Sequence, residues 1–239
     1  MIPLLAIPAD AKAVFRKRPN RFAAIVDIEF PASEKDVYVH VHDPGRLEEL
    51  LFQGNRLLLK QAKNKNRKTL WDVIAADSPG GWTLMHSGYH RRIAEKILQD
   101  ARISPFGKAA RIKAEVRYHN SRIDFLITGE NGNKTWIETK GCTLSENGVA
   151  KFPDAPTIRG TRHVRELTDI VKQGKDAAVM VFLVTQTDAE RFEPKADTDP
   201  EFAKAYYEAL KAGVKAFALK LSYQGGIVTY VGKIPVAEE

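Results

Sequence analysis

Residues 111–140 hold three short strand-like runs, each with one acidic residue at or near an end. They read Arg111-Ile-Lys-Ala-Glu115-Val-Arg-Tyr118, then Ser121-Arg-Ile-Asp124-Phe125, then Trp136-Ile-Glu138-Thr-Lys140. Side chains on a strand alternate between faces, so Glu138 and Lys140 point the same way and Thr139 the other. Ile123 and Phe125 read as the buried face of their strand, which puts Asp124 opposite. Glu130-Asn-Gly-Asn reads as the hairpin turn before the third run. A helix is expected ahead of the runs, over 89–100, with Ile93, Ala94, Ile97 and Leu98 as its apolar stripe. Another is expected over 158–173. Asp176–Val184 is apolar on both faces, the pattern of a central strand covered by helices. A helix from Pro200 to Ala212 and two further strands complete an α/β sandwich around a mixed central sheet.

Oxygen ligands suit a hard divalent cation, and Mg²⁺ commonly takes one or two carboxylates with water and phosphate. Asp124 and Glu138 supply such a pair for Mg²⁺ or Mn²⁺. Lys140 would orient a metal-activated water or offset charge developing on a phosphate. Glu115 would assist as an auxiliary carboxylate. The competing reading is a set of solvated charges on the open face of a half-exposed sheet, because an Asp followed by Glu-x-Lys recurs by chance.

Longer motifs bear on that choice. Asp124…Glu138-x-Lys140 resembles the PD-(D/E)xK nuclease motif. Ser121-Arg-Ile-Asp-Phe, Glu138-Thr-Lys-Gly-Cys-Thr-Leu and Phe152-Pro-Asp-Ala-Pro-Thr-x-Arg-Gly-x-x-His-x-x-Glu-Leu together resemble the sugar fermentation stimulation protein A (SfsA) family, and His42-Asp-Pro-Gly-Arg46-Leu extends the likeness toward the N-terminus. The resemblance implies a nuclease-like α/β domain behind an OB-like barrel. It implies Asp124, Glu138, Lys140 and Glu115 as catalytic residues, with Asp124 and Glu138 as metal ligands. It further implies that the helix after the Glu-x-Lys strand adds polar residues to the site. Arg159 and His163 are the candidates, in a stripe with Glu166 that reads equally as a row of surface ion pairs. Asp154 either approaches the metal or makes a local turn. Residues 141–157 are rich in turn formers and read as a mobile loop.

Residues 1–82 read as short strands: 22–28, 36–42, 56–60, 69–76 and 82–85, with a single helical turn near Leu47. Several short strands with one small helix fit a small β-barrel of the OB kind, expected over residues 1–83 with the second domain over 84–239. Tyr38, Trp71 and Trp82 are either stacking platforms for bases or core aromatics. Arg46 follows a glycine in a turn and either contacts phosphate or holds the turn. His40 and His42 share a face, but no Cys or His pair follows at zinc-site spacing, so no structural metal is expected there.

Net charge is +7, and residues 61–120 carry twelve Lys and Arg against five Asp and Glu. The densest stretch contains Lys63, Lys65, Arg67 and Lys68. A basic patch of this kind points to a polyanion, DNA or alternatively RNA. No apolar run reaches the length of a membrane helix. The short apolar N-terminus lacks a basic leader region, which leaves the cytoplasm as the expected location, and one cysteine, Cys142, excludes an internal disulfide. No phosphate-binding glycine loop or Gly-x-Ser-x-Gly elbow is present. The expected activity is therefore that of a DNA-binding, Mg²⁺- or Mn²⁺-dependent nuclease. The alternative, implied by the SfsA resemblance, is a non-catalytic, non-specific DNA-binding regulator of sugar (maltose) metabolism genes.

Overall fold

Short strands rich in β-branched and small apolar residues open the chain, as the alternation of Val37, Val39 and Val41 leads one to expect. The computed structural model describes residues 1–119 and 121–238. After β1 (Ile2–Ala6) come β2 (Ala11–Asn20), β3 (Ala23–Phe30), β4 (Glu34–His40), β5 (Arg56–Gln61), β6 (Trp71–Ser78) and β7 (Gly81–Leu84). Strands β2 to β7 form one sheet in the order β4-β3-β2-β5-β6-β7, and a parallel bridge between His40 and Asp72 joins β4 to β6. That bridge closes five strands into an OB-like barrel, with β7 paired to the outside of β6. Its interior holds Phe15, Val26, Val39, Leu57, Leu59 and Val73. The helical turn expected near Leu47 is a single turn, in which the Leu51 N–H donates to the Leu47 carbonyl at 2.7 Å. Leu47 and Leu50 plug the barrel core from this turn.

The second half begins with α1 (His90–Gln99), followed by β8 (Ala109–Tyr118), β9 (Ser121–Gly129) and β10 (Lys134–Cys142). Ile93, Ala94, Ile97 and Leu98 are the buried side of α1, at the spacing the sequence predicts. Next come β11 (Leu144–Glu146), β12 (Val149–Phe152), α2 (Ile158–Lys172), β13 (Ala177–Val184), β14 (Arg191–Pro194), α3 (Pro200–Lys211), β15 (Lys215–Gln224) and β16 (Ile227–Ile234). The large sheet runs β1-β16-β15-β13-β10-β9-β8. Its two parallel pairs, β10 with β13 and β13 with β15, place the wholly apolar β13 at the centre. Helices α2 and α3 cover one face through Val164, Leu167, Phe202 and Tyr206; α1 and the barrel cover the other. The mixed sheet, entered as α1-β8-β9-β10-α2-β13, has the nuclease-like architecture that the resemblance implies.

Three details depart from the sequence reading. β1 lies within the stretch assigned to the barrel, yet it pairs antiparallel with β16 in the large sheet. Residues 141–157 are not a bare loop: β11 and β12 form a hairpin whose second strand pairs in parallel with β14. Ile123 and Phe125 do not share one core either. Ile123 packs in the α2 layer and Phe125 in the α1 layer. The pairing of β9 with β10 ends at Phe125 and Ile137, so Ser121–Asp124 of β9 keep their register with β8 but not with β10.

Candidate active site

The parting of β9 from β10 sets up the site. Where the next backbone pair would form, the Asp124 carboxylate takes over: its Oδ2 accepts the Thr139 N–H at 2.8 Å and also the Thr139 hydroxyl. Oδ1 takes no hydrogen bond among the described residues. Glu138, one residue earlier on β10, is 3% exposed. Its Oε1 accepts from Lys140 Nζ at 2.6 Å and meets His163 Nδ1 as well, while Oε2 is buried without a hydrogen-bond partner. An unpaired carboxylate oxygen in the interior is costly unless something outside the chain completes it.

Electrostatics separate the two acids. Burial pushes the Asp124 carboxyl above its usual range, and the nearby Glu138 charge adds to that. Burial pushes Glu138 up too, but Lys140 and His163 outweigh it and hold Glu138 below the ordinary value. The site therefore contains a secured carboxylate beside a second one that resists ionising. A bound cation would relieve both, and hard oxygen donors are what Mg²⁺ or Mn²⁺ requires.

Helix α2 is pinned to the acidic strands through its polar stripe. His163 reaches Glu138 on β10, and three residues on, Glu166 Oε1 accepts the Ser121 hydroxyl of β9 at 2.6 Å. The stripe is thus not a row of surface ion pairs. It also corrects the expectation for His163, which at 2% exposure is sealed away and positions Glu138 instead of facing a nucleic acid. Arg159, one turn earlier, is exposed. It is placed by two caps: Thr157 accepts the Gly160 N–H at 3.0 Å, and Asp199, the cap of α3, accepts the Thr157 N–H at 2.7 Å.

Arg159 lines a cleft of about 980 Å³ between the barrel and the second half, together with Arg18, Arg46, His90, Gly141 and Asp154. Gly141 directly follows Lys140, so the cleft adjoins the Glu-x-Lys strand. It is necessarily glycine: a Cβ there would stand 2.0 Å from the His90 ring. His90 Nε2 is buried without a partner, and burial lowers its pKa to about 4.

The two loops named by the longest motifs meet at this cleft. Asp154 Oδ2 accepts the Leu47 N–H at 3.2 Å, and a Cβ on Gly45 would lie 2.1 Å from the same oxygen. Leu47 has a φ of 54°, a left-handed conformation that bulky residues rarely adopt, held by burial in the barrel core. Asp154 thus joins the halves across 107 residues, which is neither of its expected roles. Holding the 43–46 turn falls to Arg18, which donates to the carbonyls of Gly45 at 2.7 Å and Asp43 at 3.3 Å and also meets that of Arg46. The Arg46 side chain is exposed along the cleft. Burial raises the pKa of Asp43, Asp154 and Glu49, the last to about 7 with Asp154, Asp43 and Glu48 nearby.

Other expected residues lie farther out. The β8–β9 register puts Glu115 across from Asp124, and its carboxylate is 3.5 Å from Arg91 and 3.3 Å from Arg122. Lys63, Lys65 and Lys68 are exposed on the loop before β6. Arg67 in the same stretch is half-buried and forks onto Asp72, with Nη2 2.7 Å from Oδ1 and Nη1 3.2 Å from Oδ2. It is therefore committed to the barrel and not free for phosphate as its neighbours are. Tyr38 is exposed, whereas Trp71 and Trp82 pack partly into cores. Arg18, Asp72, His86 and His90 were not singled out as site residues. Nothing local in the sequence marks them, because their roles arise from contacts between distant segments.

Known proteins match throughout. A family model described as "Sugar fermentation stimulation protein RE domain" covers residues 88–226, and one described as "SfsA N-terminal OB domain" covers 17–85. A sugar fermentation stimulation protein homolog of Methanococcoides burtonii is 42% identical, over 99% of this chain and 96% of its own. One from Thermosipho melanesiensis is also 42% identical, over 98% and 97%. Among solved structures, the SfsA of Pyrococcus furiosus in complex with Ca²⁺ superposes with a TM-score of 0.87 at 28% identity, covering 99% of this chain and all of its own. With both halves matched in order and relatives at this identity over nearly its whole length, the chain belongs to the SfsA family.

Proposed function

We propose that this protein is a divalent-metal-dependent phosphodiesterase that cuts DNA in the cytoplasm, with RNA as the alternative polyanion. One observation carries the reading: Glu138 keeps a buried, unpartnered Oε2, and its charge acts on Asp124, whose Oδ1 takes no hydrogen bond among the described residues. Asp124 and Glu138 would hold Mg²⁺ or Mn²⁺, which when bound supplies Lewis acidity toward phosphate and a more acidic water. The Ca²⁺ complex of the Pyrococcus furiosus relative supports a divalent ion. Lys140, anchored to Glu138 at 2.6 Å, faces the phosphate and stabilises charge on it. His163 fixes the Glu138 carboxylate from behind. Arg46 and Arg159 line the path of the backbone, and the exposed lysines of the barrel loop extend the grip.

The reading is tested with labelled single- and double-stranded DNA, with and without Mg²⁺ or Mn²⁺, beside Glu138→Ala. Metal-dependent cutting that disappears in the variant is expected. A second reading, DNA binding without cutting in regulation of sugar (maltose) metabolism genes, draws on Lys140 and His163, which already engage the Glu138 Oε1 without an ion. Binding without cutting under every metal condition would select it. Calorimetry of Asp124→Asn checks the ligand: weaker Mg²⁺ or Mn²⁺ binding is expected, and unchanged affinity removes Asp124 from the set.

A further inference from the structure

A second, chemically different group of ligand atoms lies where the barrel closes. His42 follows β4, Asp72 is the second residue of β6, and His86 follows β7 just before the turn into α1. One ligand atom from each lies within 4.8 Å of the others, the sole such trio of His, Cys, Asp or Glu among the described residues. His42 Nε2 is 3.2 Å from Asp72 Oδ1 but without hydrogen-bond geometry, and it is buried and unpartnered. His86 Nδ1 is likewise buried and unpartnered, in a residue 7% exposed. An imidazole nitrogen 3.2 Å from a carboxylate oxygen, beside a second imidazole with a buried, unpartnered nitrogen, is an unusual expense in an interior. Arg67 forks onto Asp72 from the other side and fixes its orientation, the part that outer-shell groups play around metal ligands.

We propose that His42, Asp72 and His86 bind a transition-metal ion of the Zn²⁺ class. Imidazole with one carboxylate suits Zn²⁺, whereas the all-oxygen pair Asp124 and Glu138 suits a harder ion. In the structure the His42 and His86 rings stack at 3.7 Å with 24° between their planes. Their lone pairs converge on one ion only after a ring turns about its side-chain bond, so binding replaces the stack with coordination. The fourth position is left for water, since His42 and Asp72 are only half-buried. Such an ion ties the β4–β6 closure of the barrel to the segment that leads into α1, and it acts independently of the chemistry at Glu138.

The test is titration of the metal-stripped full-length protein with Zn²⁺ by calorimetry, beside His86→Gln, His40→Gln and Glu138→Gln. One Zn²⁺ per chain is expected for the wild type, His40→Gln and Glu138→Gln. His86→Gln should bind more than about 100-fold more weakly, beyond the 10–100-fold of outer-shell changes. Zn²⁺ should also shift the ring-nitrogen resonances of His42 and His86 in the wild-type protein ahead of those of His119 and His163, a readout that does not depend on the variant folding. Absence of a stoichiometric Zn²⁺ site in the wild type, equal affinity in His86→Gln, loss in Glu138→Gln alone, or unmoved His42 and His86 resonances would each overturn the proposal.

Discussion

Glu138 and the trio Asp43, Glu49 and Asp154 are carboxylates near the same cleft whose pKa values their surroundings shift in opposite directions. Glu138 is contacted by both Lys140 and His163 and is kept below its ordinary pKa. Asp43, Glu49 and Asp154 have Arg18 near them, and burial pushes all three up. Burial alone therefore does not decide ionisation in this molecule. The placement of cations counts as well, and it separates Glu138, held below its ordinary value against its own burial, from Asp43, Glu49 and Asp154, which burial raises.

The largest expected break in that contrast is Lys140→Ala. It should remove metal-dependent cleavage, by about 10²–10³-fold or more on the scale of a lost transition-state donor, while DNA affinity by fluorescence anisotropy stays near wild type. Retained cleavage would exclude Lys140 from the chemistry. Next is His163→Ala, which leaves Glu138 with one partner. Breaking a buried pair costs about 3–5 kcal/mol, so the urea midpoint should fall clearly. A midpoint equal to wild type would mean that Lys140 alone suffices.

Glu49→Gln sharpens the other side. The Glu49 pKa is about 7 in the folded state against 4.5 for the free side chain. Between those values the folded state holds a proton that the unfolded state has released. The group therefore costs no stability below about pH 4.5, and its cost grows as pH rises to 7 and is complete above it. Glu49→Gln should stabilise the protein at pH 8 by at most roughly 3 kcal/mol and leave it unchanged near pH 4. A stability gain independent of pH would show that the charge is not the cause. Smallest is the joint neutralisation of Lys63, Lys65 and Lys68. Removing three phosphate contacts should flatten the slope of log affinity against log salt by about 2–3. An unchanged slope would place DNA away from this loop.

How much of this was legible in the sequence follows from the range of each interaction. Elements set by local periodicity were readable: the α1 stripe, the wholly apolar β13 and the three acidic strands all stand where the pattern puts them. So was the Glu138–Lys140 pair, because two residues on one strand face are fixed by the pleat. What escaped depends on partners far along the chain. β1 reads as any short apolar strand, and nothing in it names β16 as its neighbour. The meeting of His42 with Asp72 and His86 escaped because barrel closure, not a short ligand loop, brings them together. Asp154 had two local readings, and the observed one spans both halves.

The pairing of β1 with β16 also has a mechanical meaning. The barrel is spliced into the large sheet: the chain leaves that sheet after Ala6, builds all of β2 to β7, and returns through α1 to β8. Attached at two points of the chain and packed on the large sheet through Leu58, Ile74 and Leu84, the barrel is not a pendant module. Trimming the first six residues would cut one attachment and bare the edge of β16, an invitation to pair with another chain. A shortened protein of this kind should lose its grip on the cleft and begin to self-associate together, two failures with a single origin.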